Sequence, residues 1–130
     1  MHITLEADYA VRIVNCLSQN RMRMDAKTIA ANTGVTLRFS LKILRKLVAE
    51  GVVRSYKGTQ GGYELARPAS EISLGEVVEI VEGPITISRC VGSEDFQCTR
   101  VQDGECRFNK TYSEVAQMVR EKLYNVHFGE

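Results

Sequence analysis

Two prolines, two histidines and no tryptophan occur in these 130 residues. No stretch approaches the roughly 18 consecutive apolar residues that a membrane-crossing helix requires. The opening Met1-His-Ile-Thr-Leu-Glu-Ala-Asp carries no basic segment followed by an apolar run and a small-residue cleavage site, so the expected location is the cytoplasm. Both histidines, His2 and His127, lie near the termini. With no nucleotide-binding loop and no Ser/His/Asp arrangement in the chain order, an enzyme is not expected. A chain of this length with 44% hydrophobic residues buries one core and carries an extension, which argues against a multidomain architecture.

The net charge of +1 conceals a division along the chain. Residues 36–67 carry seven Lys or Arg against Glu50 and Glu64, whereas residues 68–106 carry Arg89 and Arg100 against eight acidic residues. Counterion release depends on clustered cations, so phosphate binding is expected of the first stretch and not of the second.

From Leu5 to Leu17 the apolar residues Leu5, Tyr9, Ile13, Cys16 and Leu17 recur at helical spacing, with Asp8 and Arg12 on the other side. Cys16 on the inward face reads as a small core hydrophobe. The stretch from Asp25 to Gly34 reads as a short helix capped by Asp25. A second helix begins near Thr36 and runs to Gly51, with Leu37, Leu41, Leu44, Leu47 and Val48 as its apolar stripe. Two helices joined by a Gly-containing turn form a helix-turn-helix, whose second helix enters the major groove. Its exposed face is expected to carry Arg38, Ser40, Lys42, Arg45 and Lys46, with Thr36 at its start. Val52-Val-Arg-Ser-Tyr-Lys, Gly58-Thr-Gln-Gly-Gly and Tyr63-Glu-Leu-Ala then read as strand, tight turn and returning strand, a β-wing. Lys57, Thr59, Gln60 and Gly61 are its candidate DNA contacts, the glycines letting backbone amides approach the sugar-phosphate chain.

Ser73 to Gly83 reads as a helix with a capping box completed by Glu76 and a glycine stop. After it, Cys90, Cys98 and Cys106 are each separated by seven residues, in a stretch without helical periodicity. An ordered loop of about two dozen residues is uncommon in a compact domain unless it is functional. In a reducing compartment such thiols suit metal or redox chemistry better than a disulfide framework. Taken alone, the spacing leaves an iron-sulfur cluster, zinc, a thiol switch and inert cysteines open. A final helix from Asn109 to about His127 presents Tyr112, Val115, Ala116, Val119, Leu123 and Val126 on one face; at 1.5 Å per residue it is about 28 Å long, enough for a dimer spine.

Tyr9-Ala-Val-Arg, Leu47-Val-Ala-Glu-Gly-Val-Val, Lys57-Gly-Thr-Gln-Gly-Gly-Tyr and Ile72-Ser-Leu-Gly-Glu-Val-Val, followed by three cysteines, resemble the Rrf-two family of bacterial winged-helix regulators, which includes IscR-type and NsrR-type iron-sulfur sensors. The resemblance covers essentially the whole chain. It implies a mainly α fold with a small β-wing, a winged helix-turn-helix domain plus a long C-terminal dimerisation helix. It also implies a homodimer on a pseudo-palindromic double-stranded operator and an iron-sulfur cluster, 2Fe-2S or 4Fe-4S, on Cys90, Cys98 and Cys106. The cysteine spacing is longer than is usual in the family, and Asn109 stands where IscR-like proteins place a histidine. Asp8 matches an acidic residue that, in the nitric-oxide-sensing branch, completes the cluster across the dimer. The expected organisation is a DNA-binding domain over 1–83, a cluster-binding loop over 84–108, and a dimerisation helix and C-terminus over 109–130, with Tyr112, Val115, Val119 and Leu123 at the dimer contact. A winged-helix regulator with structural zinc or a thiol switch, and a winged-helix protein-interaction module, are the alternatives.

Overall fold

A computed structural model describes residues 2–88, 90 and 106–129. Among the described residues the chain is mainly α with one two-stranded antiparallel sheet. Helix α1, Leu5–Asn20, starts where the Thr4 hydroxyl accepts the Ala7 N–H at 3.1 Å and stops at Arg21, whose left-handed backbone (φ 51°) turns its N–H back to the Leu17 carbonyl. Helix α2, Ala26–Thr33, and helix α3, Leu37–Ala49, form the helix-turn-helix. Strands β1, Val53–Tyr56, and β2, Gly62–Leu65, form the wing, with Val53 opposite Leu65 and Tyr56 opposite Gly62. Helix α4, Leu74–Glu82, and helix α5, Arg107–Tyr124, follow. Among the described residues no helix is long and apolar enough to cross a membrane.

One core joins the elements. Ile13, Val14 and Leu17 of α1 meet Ile29 of α2, Ile43, Leu44 and Leu47 of α3, Val52 and Val53 at the wing's base, Ile72, and Val77 of α4. Each such side chain contributes about 1.5–3 kcal/mol on burial, so this cluster outweighs any surface ion pair. Cys16 lies in it at 7% exposure, and burial raises its thiol pKa despite hydrogen bonds from Asn32 and Asn20, as suits a core residue. Leu5, expected to turn inward, is 62% exposed; it opens the first turn of α1, in which Ala7 is the buried residue.

The wing has a third partner. Met24, in the α1–α2 connection, donates its N–H to the Tyr63 carbonyl at 2.9 Å and accepts the Tyr63 N–H at 2.7 Å. A Cβ on Gly62, at φ 140°, would sit 2.7 Å from the Met24 carbonyl oxygen, so glycine is required where the two backbones meet.

Ser73 caps α4 by accepting the Glu76 N–H at 3.1 Å, but the expected capping box is half formed, because the Glu76 carboxylate pairs with Arg67. Helix α5 begins two residues earlier than expected and ends at Tyr124 rather than about His127. The reason is a competing partner: Val126 accepts the Leu74 N–H at 2.8 Å and Phe128 donates to the Ile72 carbonyl at 3.1 Å. Helix α5 lies on α4 through Ala116 and Tyr124, leaving Phe108, Val115, Met118 and Val119 exposed.

Glu79 ties these parts together. Its carboxylate accepts from the Tyr124 hydroxyl, from the Ile85 N–H at 2.9 Å and from Arg120 at 3.3 Å. Burial pushes its pKa up, but the Tyr124 and Ile85 hydrogen bonds and the Arg120 charge outweigh this, and the net direction is down. A carboxyl whose folded pKa lies below its unfolded value stabilises the fold above the unfolded pKa, and that stabilisation is lost as pH falls through the folded pKa. Urea midpoints should therefore decline on acidification below the ordinary carboxylate range, and Glu79→Gln should flatten that decline; an unaltered acid limb in the variant would remove Glu79 from this role.

Candidate nucleic-acid interface and thiol site

The helix-turn-helix is built from local signals. Asp25 accepts the Thr28 N–H at 2.7 Å to start α2, and that backbone donor, followed by the Thr28 side chain, lowers the Asp25 pKa. Gly34 stops the helix at φ 74°. Thr36 then starts α3 by accepting the Phe39 N–H at 3.2 Å, which commits its hydroxyl to the cap while the residue stays exposed.

On α3 the buried residues are Ser40, Ile43, Leu44 and Leu47. This corrects the expected stripe: Leu37 and Leu41 are exposed, and the inward face is turned by about a fifth of a turn at 3.6 residues per turn. Ile43, omitted from the expected stripe, is fully buried and sets that rotation. Ser40 is likewise corrected. Expected on the DNA-facing side, it is fully buried, and among the described residues its Oγ has no hydrogen-bond partner. Arg38, Lys42 and Arg45 stand exposed on the opposite side, with Lys46 half-buried at its margin.

Helix α1 braces this helix. Glu6 Oε1 lies 2.9 Å from Lys46 Nζ and 3.6 Å from Lys42 Nζ. The hydrogen bond from Lys46 lowers the Glu6 pKa, with both lysine charges acting in the same direction and burial opposing them. Beside it, the Tyr9 and Phe39 rings meet edge to face with centroids 5.7 Å apart. On the wing, Lys57, Thr59 and Gln60 are exposed and Gly61 is half-buried. A Cβ on Gly61 would lie 2.6 Å from the Tyr56 carbonyl oxygen, so the hairpin itself requires this glycine.

Sequence reasoning missed Arg23. Its guanidinium stacks 3.4 Å from the Tyr56 ring centroid, donates to the Gln60 carbonyl at 3.0 Å and reaches Glu64 at 3.9 Å, so it clamps the wing to the α1–α2 connection. Glu6 was missed as well. These pairs span some 40 residues of sequence, so no local spacing announces them.

The cysteine site is partly within the described residues. Cys98 lies outside them, whereas Cys90 and Cys106 are both half-buried. Asn109, in the first turn of α5, donates to the Cys90 sulfur at 3.3 Å and to its carbonyl at 3.4 Å. The Ser88 hydroxyl lies 3.1 Å from the same sulfur. Cys106 is the N-cap residue of α5 and makes no side-chain cap bond. The amide of Asn109 thus links Cys90 to the first turn of the helix that begins after Cys106. Asp8 is half-exposed and paired with Arg12 at 2.8 Å. Among the described residues, no group of three or more His, Cys, Asp or Glu side chains is gathered as a metal site.

A family profile described as "Rrf2: Iron-dependent Transcriptional regulator" matches residues 3–130. The HTH-type regulator-like protein Rv1287 of Mycobacterium tuberculosis is 38% identical over 97 residues, covering 73% of this chain and 60% of that protein. The match therefore spans less than two thirds of that relative's length. The HTH-type transcriptional regulator IscR of Klebsiella pneumoniae is 26% identical over 132 aligned positions, covering 100% of this chain and 78% of that protein. Among solved structures, T. potens IscR superposes with a TM-score of 0.78 at 21% identity, covering 98% of this chain and 83% of that one. CymR, described as the global cysteine regulator of B. subtilis, also gives 0.78 at 21% identity, covering 98% and 93%. The fold is the winged helix of these regulators.

Ser40 supplies a test of the corrected helix rotation. Removing a buried hydroxyl without a partner relieves its desolvation, so Ser40→Ala should raise unfolding stability by about 1 kcal/mol in urea titrations; a loss of that size would show that the hydroxyl makes a bond inside the core.

Proposed function

The chain belongs to the Rrf-two family of transcriptional regulators, and from that premise we propose that it is a cytoplasmic, homodimeric DNA-binding regulator that senses redox state, oxygen, nitric oxide or iron status through an iron-sulfur cluster. The observation that carries the DNA reading is the opposition of faces on α3: Arg38, Lys42 and Arg45 stand outward directly across from Ser40, Ile43, Leu44 and Leu47 in the core. A helix so mounted offers cations to a major groove while the wing, with Lys57 exposed, lies against the backbone. The exposed stripe of Phe108, Val115, Met118 and Val119 on α5, flanked by Tyr112 and Leu123, is the surface for a second copy. Two reading heads on one axis match a pseudo-palindromic operator.

Cys90, Cys98 and Cys106 are the proposed thiolate ligands, with Asp8 of the partner subunit as the fourth. Soft thiolates with one weaker oxygen donor suit an iron-sulfur centre. When bound, that centre supplies a charge that responds to oxidants and small ligands. The protein's own part is to orient. Asn109 and Ser88 hold the Cys90 sulfur, the start of α5 places Cys106, and Arg12 holds the Asp8 carboxylate. A site bridging this loop and the other subunit's α1 favours one spacing of the reading heads, and a coupling of about 1–3 kcal/mol would alter operator affinity about 5–150-fold. The alternative of structural zinc or a thiol switch keeps the same DNA reader and differs in metal content.

On a cognate operator, Arg45→Ala should cost about 1–3 kcal/mol if it reads a base, while Lys57→Ala should reduce the salt slope by about one; unchanged binding in both would mean that another face meets DNA. Anaerobically purified protein should be brown, with matched iron and sulfide that Cys98→Ala abolishes. Colourless protein that stays empty after reconstitution, or holds zinc alone, would refute the cluster.

A further inference from the structure

Two of the cations on the outer side of α3 are already claimed by a carboxylate of the same chain. Lys46 Nζ lies 2.9 Å from Glu6 Oε1 and Lys42 Nζ lies 3.6 Å from the same oxygen, while no ion pair within the described residues involves Arg38 or Arg45. Glu6 is well anchored for this. It sits between the Thr4 cap and fully buried Ala7, and the Tyr9–Phe39 ring contact fixes the start of α1 against α3. The Glu6 side chain is 25% exposed and the two lysines are 39% and 57% exposed, so the cluster stands at the surface where a DNA backbone would arrive.

We propose that Glu6 is an internal stand-in for a DNA phosphate: it occupies Lys42 and Lys46 in the free protein, so that indiscriminate binding to duplex DNA rests on the cations it leaves open, Arg38 and Arg45 on α3 and Lys57 on the wing. The proposal rests on the DNA-binding reading and deepens it. Sequence-independent affinity grows with the number of phosphates that protein cations neutralise, each releasing condensed counterions. An ammonium already neutralised by a carboxylate contributes little to that gain. Transferring Lys42 and Lys46 to phosphates requires separating them from Glu6, which a well-fitted operator complex can offset with base contacts and a mismatched duplex cannot. By keeping Lys42 and Lys46 occupied, Glu6 lowers the background against which the operator is recognised.

The test uses the 130-residue chain, binding of a scrambled duplex and of the operator across a range of KCl, and five proteins: wild type, Glu6→Gln, Glu6→Ala, the Lys42→Gln/Lys46→Gln double variant, and the triple variant. Glu6→Gln should bind the scrambled duplex several-fold more tightly, with a salt slope steeper by about one to two, at about 0.9 per recruited phosphate. Operator affinity should rise less, so the specificity ratio falls. Adding Glu6→Gln to the double variant should produce no further gain, since there is then no lysine to release. Glu6→Ala should reproduce Glu6→Gln, and the thermal midpoint of each verifies folding. An equal or weaker affinity with an unchanged slope in folded Glu6→Gln overturns the proposal while leaving the DNA reading intact. A gain that survives in the triple variant overturns it too, by showing that general charge is responsible. A wild-type protein that binds neither duplex in a salt-dependent way overturns the DNA reading and this proposal with it.

Discussion

Burial of the apolar face of α1 is the constraint on which the rest of the structure depends. Ile13, Val14 and Leu17 are covered by α2, α3, β2 and α4 together, so the reading head is a set of elements packed around one central helix. The polar side of that helix is consequently free for other tasks. Glu6 reaches α3, Asp8 pairs with Arg12, and Arg12 extends over the Tyr9 ring at 5.3 Å. The core therefore determines where the first turn of α1 lies, and that turn in turn determines where two of the recognition helix's lysines rest.

Most of the fold was legible because its signals are local. Thr4, Asp25, Thr36 and Ser73 all cap helices, and Gly34 and Gly83 end them at positive φ. The wing was legible from its glycines, whose need for close backbone approach is visible at Gly61 and Gly62. Where reading failed, a distant partner decided. The backbone bridge made by Met24, the early end of α5 and the diversion of Glu76 to Arg67 each depend on a residue remote in sequence or on a competing hydrogen-bond partner. Ser40 was misplaced for a different reason. Leu37 and Leu41 looked like natural inward residues, yet the helix buries Ile43 and exposes both leucines, and a serine is carried inside with it.

The candidate site was legible as residue types and less so as geometry. The basic character of residues 36–67 is plain from composition, and α3 does present Arg38, Lys42 and Arg45 outward. What composition does not reveal is which cations are already engaged, because Glu6 precedes Lys46 by 40 residues. The same holds for Asn109, which stands three residues after Cys106 in sequence and against Cys90 in space. Identity at that position looked like the loss of a ligand, whereas its contact is that of a donor to sulfur.

The approach of α4 and α5 has a consequence for how this protein can vary. A methyl group on Gly75 would collide with the Tyr124 ring, so the backbone of one helix serves as the seat for the aromatic ring of the other. The hydroxyl of that ring also reaches Glu79. Three positions, 75, 79 and 124, are thus bound into a single hereditary unit: a lineage that enlarges the glycine must first surrender the ring, and one that surrenders the ring leaves the carboxylate to the Ile85 N–H and Arg120. Drift at this helix crossing should proceed by coordinated replacement rather than one residue at a time.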